Sequence, residues 1–162
     1  DEGFSGGGHG NLDAHDITLT GAVPGVEGLN VGAGYYRANY NYTGNNDTKH
    51  EGTAYATYAY GPLTFGYQVG AVGGAGAGGV GYKNEYMGVS YAISDDLSVS
   101  YNNTESKKVN AGWSPESDYD SFSLSYSMGG MTINIADADC SNCSYTNAKN
   151  QDERTISMSI AF

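Results

Sequence analysis

The sequence predicts an all-β fold, an antiparallel transmembrane β-barrel of about nine strands, and three observations carry that prediction. Apolar and small polar residues alternate with period two in one segment after another, as side chains do across a strand. The connections between these segments are alternately tight and long. Composition is the third: among 162 residues, Gly (25) and Tyr (15) are abundant while Leu is scarce, which favours strands and loops over helices. No run approaches the ~20 apolar residues of a spanning helix. A polar average composition does not exclude a membrane barrel, because alternation hides the apolar half of each strand.

Residues 1–16 are Gly-rich and acidic, with Phe4 and Leu12 as the only large apolar side chains, and read as an external loop. Ile17, Leu19, Gly21 and Val23 then alternate with Thr18, Thr20 and Ala22 in a first strand. After the turn 24–28, Leu29, Val31, Ala33 and Tyr35 begin a second, followed by a polar stretch from Asn41 to Gly52. A Tyr- and Thr-rich third strand runs from about Thr53 to Tyr60. Gly61-Pro62 turns the chain, since proline pre-sets its own φ and glycine tolerates the reversed one. The fourth strand sets Leu63, Phe65, Tyr67, Val69 and Ala71 against Thr64, Gly66, Gln68 and Gly70, before a glycine-rich loop from Gly73 to Lys83.

The fifth strand sets Met87, Val89, Tyr91 and Ile93 against Gly88, Ser90 and Ala92. The sixth, after Ser94-Asp95-Asp96, sets Leu97, Val99 and Tyr101 against Ser98, Ser100 and Asn102. A charged loop from Glu105 to Asp120 leads to the cleanest alternation, Phe122, Leu124, Tyr126 and Met128 against Ser121, Ser123, Ser125 and Ser127. Gly129-Gly130 turns into Met131, Ile133 and Ile135 opposite Thr132, Asn134 and Ala136. A loop from Cys140 to Gln151 precedes the terminal strand, in which Ile156, Met158, Ile160 and Phe162 share one parity and Thr155, Ser157 and Ser159 the other.

Tight turns after Val23, Tyr60, Ile93 and Met128 thus interleave with long loops, all at the opposite end. Transmembrane barrels have this asymmetry, with tight periplasmic turns and long outer loops. The tyrosines 58, 60, 67, 91, 101 and 126 sit near strand ends on the apolar parity, where interface girdles of amphipathic rings would form. The ending of the chain, Thr155 to Phe162, resembles the last strand of a bacterial outer-membrane barrel. The resemblance implies that Ile156, Met158, Ile160 and the terminal Phe162 act as an assembly signal.

From Ile17 onward, most specifically in Gly88-Val-Ser-Tyr-Ala-Ile-Ser-Asp-Asp-Leu-Ser-Val-Ser-Tyr101 and in that ending, the sequence resembles the C-terminal half of a general diffusion porin of the alphaproteobacterial type. Bacterial single-chain barrels have an even strand number, so a count of nine implies a chain that begins in mid-barrel. The resemblance implies a homotrimer of barrels of about sixteen strands, set in outer-membrane lipid and lipopolysaccharide. In that family an inward third loop forms the constriction opposite a basic wall. Both would lie mostly upstream, and Arg37 and Arg154, the only arginines here, fall at predicted outer strand ends. No constriction residue is carried over.

The remaining motifs weigh less. A net charge of −11 argues against nucleic acid, which needs clustered cations, and suits a solvated exterior. Cys140-Ser-Asn-Cys143 has the spacing of a redox motif or half a zinc site, but neither a helix N-terminus nor two further ligands accompany it. A local disulfide stiffening an outer loop is the expectation at an oxidising surface. His9, His15 and His50 share no ligand spacing and read as solvated loop residues. Asp13, Asp16, Glu116, Asp118, Asp120, Asp137, Asp139 and Asp152 would gather at the outer end, where carboxylates could hold Ca²⁺, although no loop follows the EF-hand pattern. The glycines 73–81 precede no Lys-Ser/Thr and make no phosphate loop. No nucleophile, base and orienting group stand together, so nothing points to an enzyme.

The functional expectation is passive diffusion of ions and small hydrophilic solutes through a water-filled lumen. Its lining would be Thr18, Thr20, Asn30, Gln68, Ser90, Ser98, Ser100, Asn102, Ser123, Ser125, Thr132, Asn134, Ser157 and Ser159. These offer hydroxyl and amide groups with no fixed charge, hence weak, unspecific transit. The alternative is a small complete outer-membrane barrel that binds a partner or surface through its loops, against which the Ser/Gly-rich face looks too small to fill an eight-stranded interior. A β-sandwich adhesin, water-soluble without detergent, is the third reading.

Overall fold

The computed structural model describes residues 12–42, 45–74, 79–109 and 112–160. Nine strands form one antiparallel meander: β1 (Leu12–Ala22), β2 (Leu29–Tyr42), β3 (Asn45–Tyr60), β4 (Leu63–Val72), β5 (Gly81–Ala92), β6 (Leu97–Val109), β7 (Ser117–Met128), β8 (Met131–Ser141) and β9 (Gln151–Ile160). Each strand pairs only with its sequence neighbours, so β1 and β9 are the sheet's edges. The sheet is open; these nine strands do not close into a barrel among themselves.

Local chemistry fixes the turns. Gly61 takes φ 56 before Pro62, whose ring enforces a negative φ, the pattern of a type II′ hairpin. Gly129 and Gly130 take φ 56 and 83, the two positive values that a type I′ hairpin needs. At the β5–β6 turn, Ile93 N donates to Leu97 O at 2.8 Å, and Ser94 Oγ accepts from Asp96 N.

The strands outrun the alternating segments at the loop end. β1 begins at Leu12 rather than Ile17, so residues 12–16 are strand and not loop. The polar stretch 41–52 is mostly β2 and β3, paired as far as Tyr42 and Asn45, so most of the long loop expected there is strand. Likewise β6 runs to Val109 and β7 starts at Ser117, well inside the expected loop 105–120. The physical reason is common to all. The hydrogen-bonded ladder continues where the apolar alternation stops, because the extra rows are held by polar pairs such as Thr48 Oγ1 donating to Asn39 Oδ1 at 2.9 Å.

The register keeps parity across all nine strands. Along one row, Arg154, Asp137, Phe122, Tyr101, Val89, Phe65, Tyr58 and Leu29 are successive cross-strand neighbours. Every apolar set therefore lands on one face, and every Ser/Thr/Gly set on the other. The apolar belt does not follow this row. Its upper border lies at Arg154 on β9 but at Arg37 on β2, where the row has reached Leu29; the border has climbed 37 − 29 = 8 residues over seven strand steps. At the turn end, Leu97 pairs with Tyr126, two residues above Met128, and the β3–β4 and β1–β2 turns each start two residues higher again. A drift of about one residue per strand, at ~3.4 Å per residue and ~4.8 Å per strand, means strands tilted by about 35–40° from the normal to the belt. That is the tilt of barrel strands.

No second layer is present among the described residues. Among the described residues the buried apolar ones are Ala38, Ala138 and Cys143, and the belt lies open: Ile17 is 69% exposed, Leu19 76%, Ile156 70% and Met158 62%. Stable water-soluble domains bury such a face against another element. An uncovered apolar face of this extent drives association in water. The protein should accordingly stay monodisperse only with detergent or lipid present. Sedimentation velocity after detergent removal checks this, and a monomer in plain buffer would contradict the exposed-belt geometry.

Candidate functional site

The two faces of the sheet are the candidate functional surfaces. The apolar face carries Leu63, Phe65, Val89, Leu97, Val99, Phe122, Leu124, Ile133, Ile135, Ile156 and Met158 in adjoining rows. All six tyrosines expected on this parity are there. Tyr58 and Tyr60 stack near the turn end, with ring centroids 6.5 Å apart, and Tyr91 and Tyr126 lie at the same end. At the opposite border the tyrosines point their hydroxyls at polar groups. Tyr67 donates to Glu85 at 2.8 Å, Tyr101 donates to Asp120, and Tyr35 hydrogen-bonds His50 Nδ1 at 2.7 Å.

Above that border the same face becomes a charged collar. Lys83 Nζ contacts Glu85 at 2.6 Å, Arg154 pairs with Asp137, His15 contacts Asp13 at 3.1 Å, and Asn103 donates to Asp118 and Asp120 at 2.8 and 3.1 Å. His15 and His50 are thus strand residues of the collar, not loop residues; His9 lies outside the described residues. The acidic side chains occur in pairs and ladders. Among the described residues, no three His, Cys, Asp or Glu side chains converge as a metal-holding group would.

The opposite face is polar, and all fourteen residues expected to line a lumen lie on it. Gln68 Nε2 donates to Thr53 Oγ1 at 3.0 Å, Ser100 and Ser123 share a hydrogen bond at 2.7 Å, and Ser127 and Thr132 share one at 3.0 Å. Glycine keeps this surface thin where a large side chain crosses it. A Cβ on Gly32 would lie 2.3 Å from the Tyr55 ring, its cross-strand neighbour, so the missing Cβ lets the ring lie against the backbone there. Two shallow hollows of about 340 and 400 Å³ open on this face, touched by Thr18, Thr53 and Gln68 in one and by Thr57, Gly88 and Asn102 in the other.

Residues outside the fourteen complete the face. Tyr36, Tyr55, Tyr82, Tyr86 and Tyr119 share its parity, and so do the charged Asp16, Lys49, Glu51, Lys108 and Glu153, with Lys49 paired to Glu51. The alternation pattern alone could have found them. Counting parity through the polar rows, past the last apolar residue, puts each on the hydroxylated side. The fourteen expected residues carry no fixed charge, while the same face is charged at its loop end through these additional side chains.

The terminal strand places Ile156, Met158 and Ile160 on the apolar face, while Phe162 lies outside the described residues. Cys140 and Cys143 are joined by a disulfide, with Cα atoms 5.7 Å apart, and Cys143 is buried. No family model matches the chain, and no curated protein matches it. Alkylating the unreduced native protein should add no mass, whereas reduction should expose both thiols to labelling; labelling without reduction would exclude the bridge.

Proposed function

We propose that the chain is a stretch of an outer-membrane β-barrel whose polar face lines a water-filled path for passive diffusion of ions and small hydrophilic solutes. One observation carries the reading: a single-layer antiparallel sheet keeps a continuous apolar belt on one face and a hydroxylated surface on the other, with the belt oblique to the strands at a barrel tilt. Lipid satisfies the belt as water cannot. The tyrosines at both borders, and the charged collar beyond one of them, suit an interface between hydrocarbon and water. The open edges at β1 and β9 are consistent with further strands that complete a barrel, as expected for part of a porin trimer in lipopolysaccharide-bearing membrane.

Transit needs no fixed catalytic group. Hydroxyls and amides such as Ser100, Ser123, Gln68 and Asn134 replace part of a solute's hydration with exchangeable hydrogen bonds, weak enough to release it. A side-chain-filled interior is less well supported. The hydrogen-bonded rows of Ser and Thr, with Gly66, Gly70 and Gly88 among them, leave space next to the sheet rather than filling it.

Detergent-extracted native protein reconstituted in a planar bilayer should give discrete, ohmic conductance steps; their absence at saturating protein would overturn the channel reading. The face assignment has its own test. Val99→Lys places a charge in the middle of the belt and should cost roughly 2–4 kcal/mol of stability in lipid. Ser98→Lys, one residue away on the polar face, should stay within about 0.5 kcal/mol of the parent. Urea unfolding in bilayers compares them, and equal losses would show that the faces are misassigned.

A further inference from the structure

The β8–β9 connection, residues 142–150, does not stand away from the sheet; it folds over the polar face. Tyr145 leaves β8, passes β7 and lands on β6 and β5. Its hydroxyl hydrogen-bonds Ser106 Oγ at 2.7 Å, its ring sits 5.6 Å from that of Tyr82, and Lys108 Nζ lies 4.7 Å from its ring centroid. Ser106, Tyr82 and Lys108 share parity with the Ser90/Ser100 rows, which places Tyr145 on the hydroxylated side. Crossing two to three strand spacings of ~4.8 Å carries the ring about 10–14 Å over that surface.

The excursion is braced. The Cys140–Cys143 bridge ties its start to the end of β8. Cys143 N donates to Lys149 O at 2.7 Å, Ala148 N to Asn142 Oδ1 at 3.0 Å, and Asn142 N to Asn150 Oδ1 at 3.2 Å, closing the segment on itself. Four of its non-glycine residues, Asn142, Ser144, Tyr145 and Ala148, have φ between 50 and 60. Asparagine tolerates that region, whereas Tyr145 does not without compensation, so its conformation persists because the surrounding contacts over-determine it. Ser144 and Ala148 share that region, so the strain belongs to the segment as a whole, and Tyr145 is the residue of it that docks across the face. Lys108 makes no ion pair with any described residue, so its charge is set against the ring and left for solutes.

We propose that residues 142–150 form a rigid shelf that narrows the path at its loop end, with Tyr145 setting the size limit and Lys108 favouring solutes that carry an anionic group. This rests on the diffusion-channel reading. A ring fixed over the polar face reduces the open cross-section, and an uncompensated cation beside it raises the local concentration of anions.

The test compares native full-length protein, Tyr145→Ala and Lys108→Gln in planar bilayers, with proteoliposome swelling in sugars of graded size. Tyr145→Ala should raise single-channel conductance and move the exclusion limit to larger sugars. Lys108→Gln should leave the exclusion limit in place and shift the reversal potential in a salt gradient toward cations. Reducing the disulfide of the unmutated protein should loosen the shelf and raise conductance, a readout that holds even if Tyr145→Ala fails to insert. Native channels whose conductance and size limit respond to neither the Tyr145 change nor reduction would overturn the shelf while leaving the channel intact. Native protein that conducts nothing would overturn both.

Discussion

The whole arrangement depends on register. In an antiparallel sheet a slip of one residue on any strand sends its entire side-chain set to the other face. Here parity holds through eight successive pairings, from Ala22 opposite Asn30 to Met131 opposite Ile160. Tight turns enforce it at one end, where Gly61-Pro62 and Gly129-Gly130 permit few alternatives. The belt enforces it throughout, since a slipped strand would set Ser98, Ser100 or Ser123 among Val99, Phe122 and Leu124 and break the continuity of both faces.

With no second layer among the described residues, both faces of the sheet stay open. A sandwich hides its apolar face against its partner sheet. This sheet has none among the described residues, and its largest apolar side chains stay exposed. Whatever covers the belt must be apolar, continuous and limited in height, because the belt stops at Glu85, Asp120, Asp137 and Arg154. The oblique run of that border across the rows carries further information, since a flat layer meeting strands at a tilt produces it and a globular partner has no need to.

The polar face follows a different logic. Small hydroxylated residues bond to one another along the rows, as Ser100 does to Ser123, and leave the space beside them to water. Its loop end departs from this pattern with charge, aromatic rings and the inward-folded segment holding Tyr145. The two ends of this face thus differ: hydroxyl rows at the turn end, and charge, rings and a crossing segment at the loop end.

The sequence by itself determined the strand number, the tight turns and the side on which each of the fourteen lumen candidates and six tyrosines lies, because period-two alternation is a local property that needs no partner to be read. It understated strand length, missing residues 12–16 and most of 41–52, because polar ladder rows carry no apolar signal. Tertiary structure alone decided the stagger of about one residue per strand and the collar pairs such as Arg154 with Asp137, since pairing partners are far apart in sequence. It also decided the placement of Tyr145. The loop 140–151 reads as an ordinary disulfide-closed outer segment; that it folds onto β5 and β6 depends on Ser106, Tyr82 and Lys108, some forty to sixty residues earlier in the chain, being carried beneath it by the register.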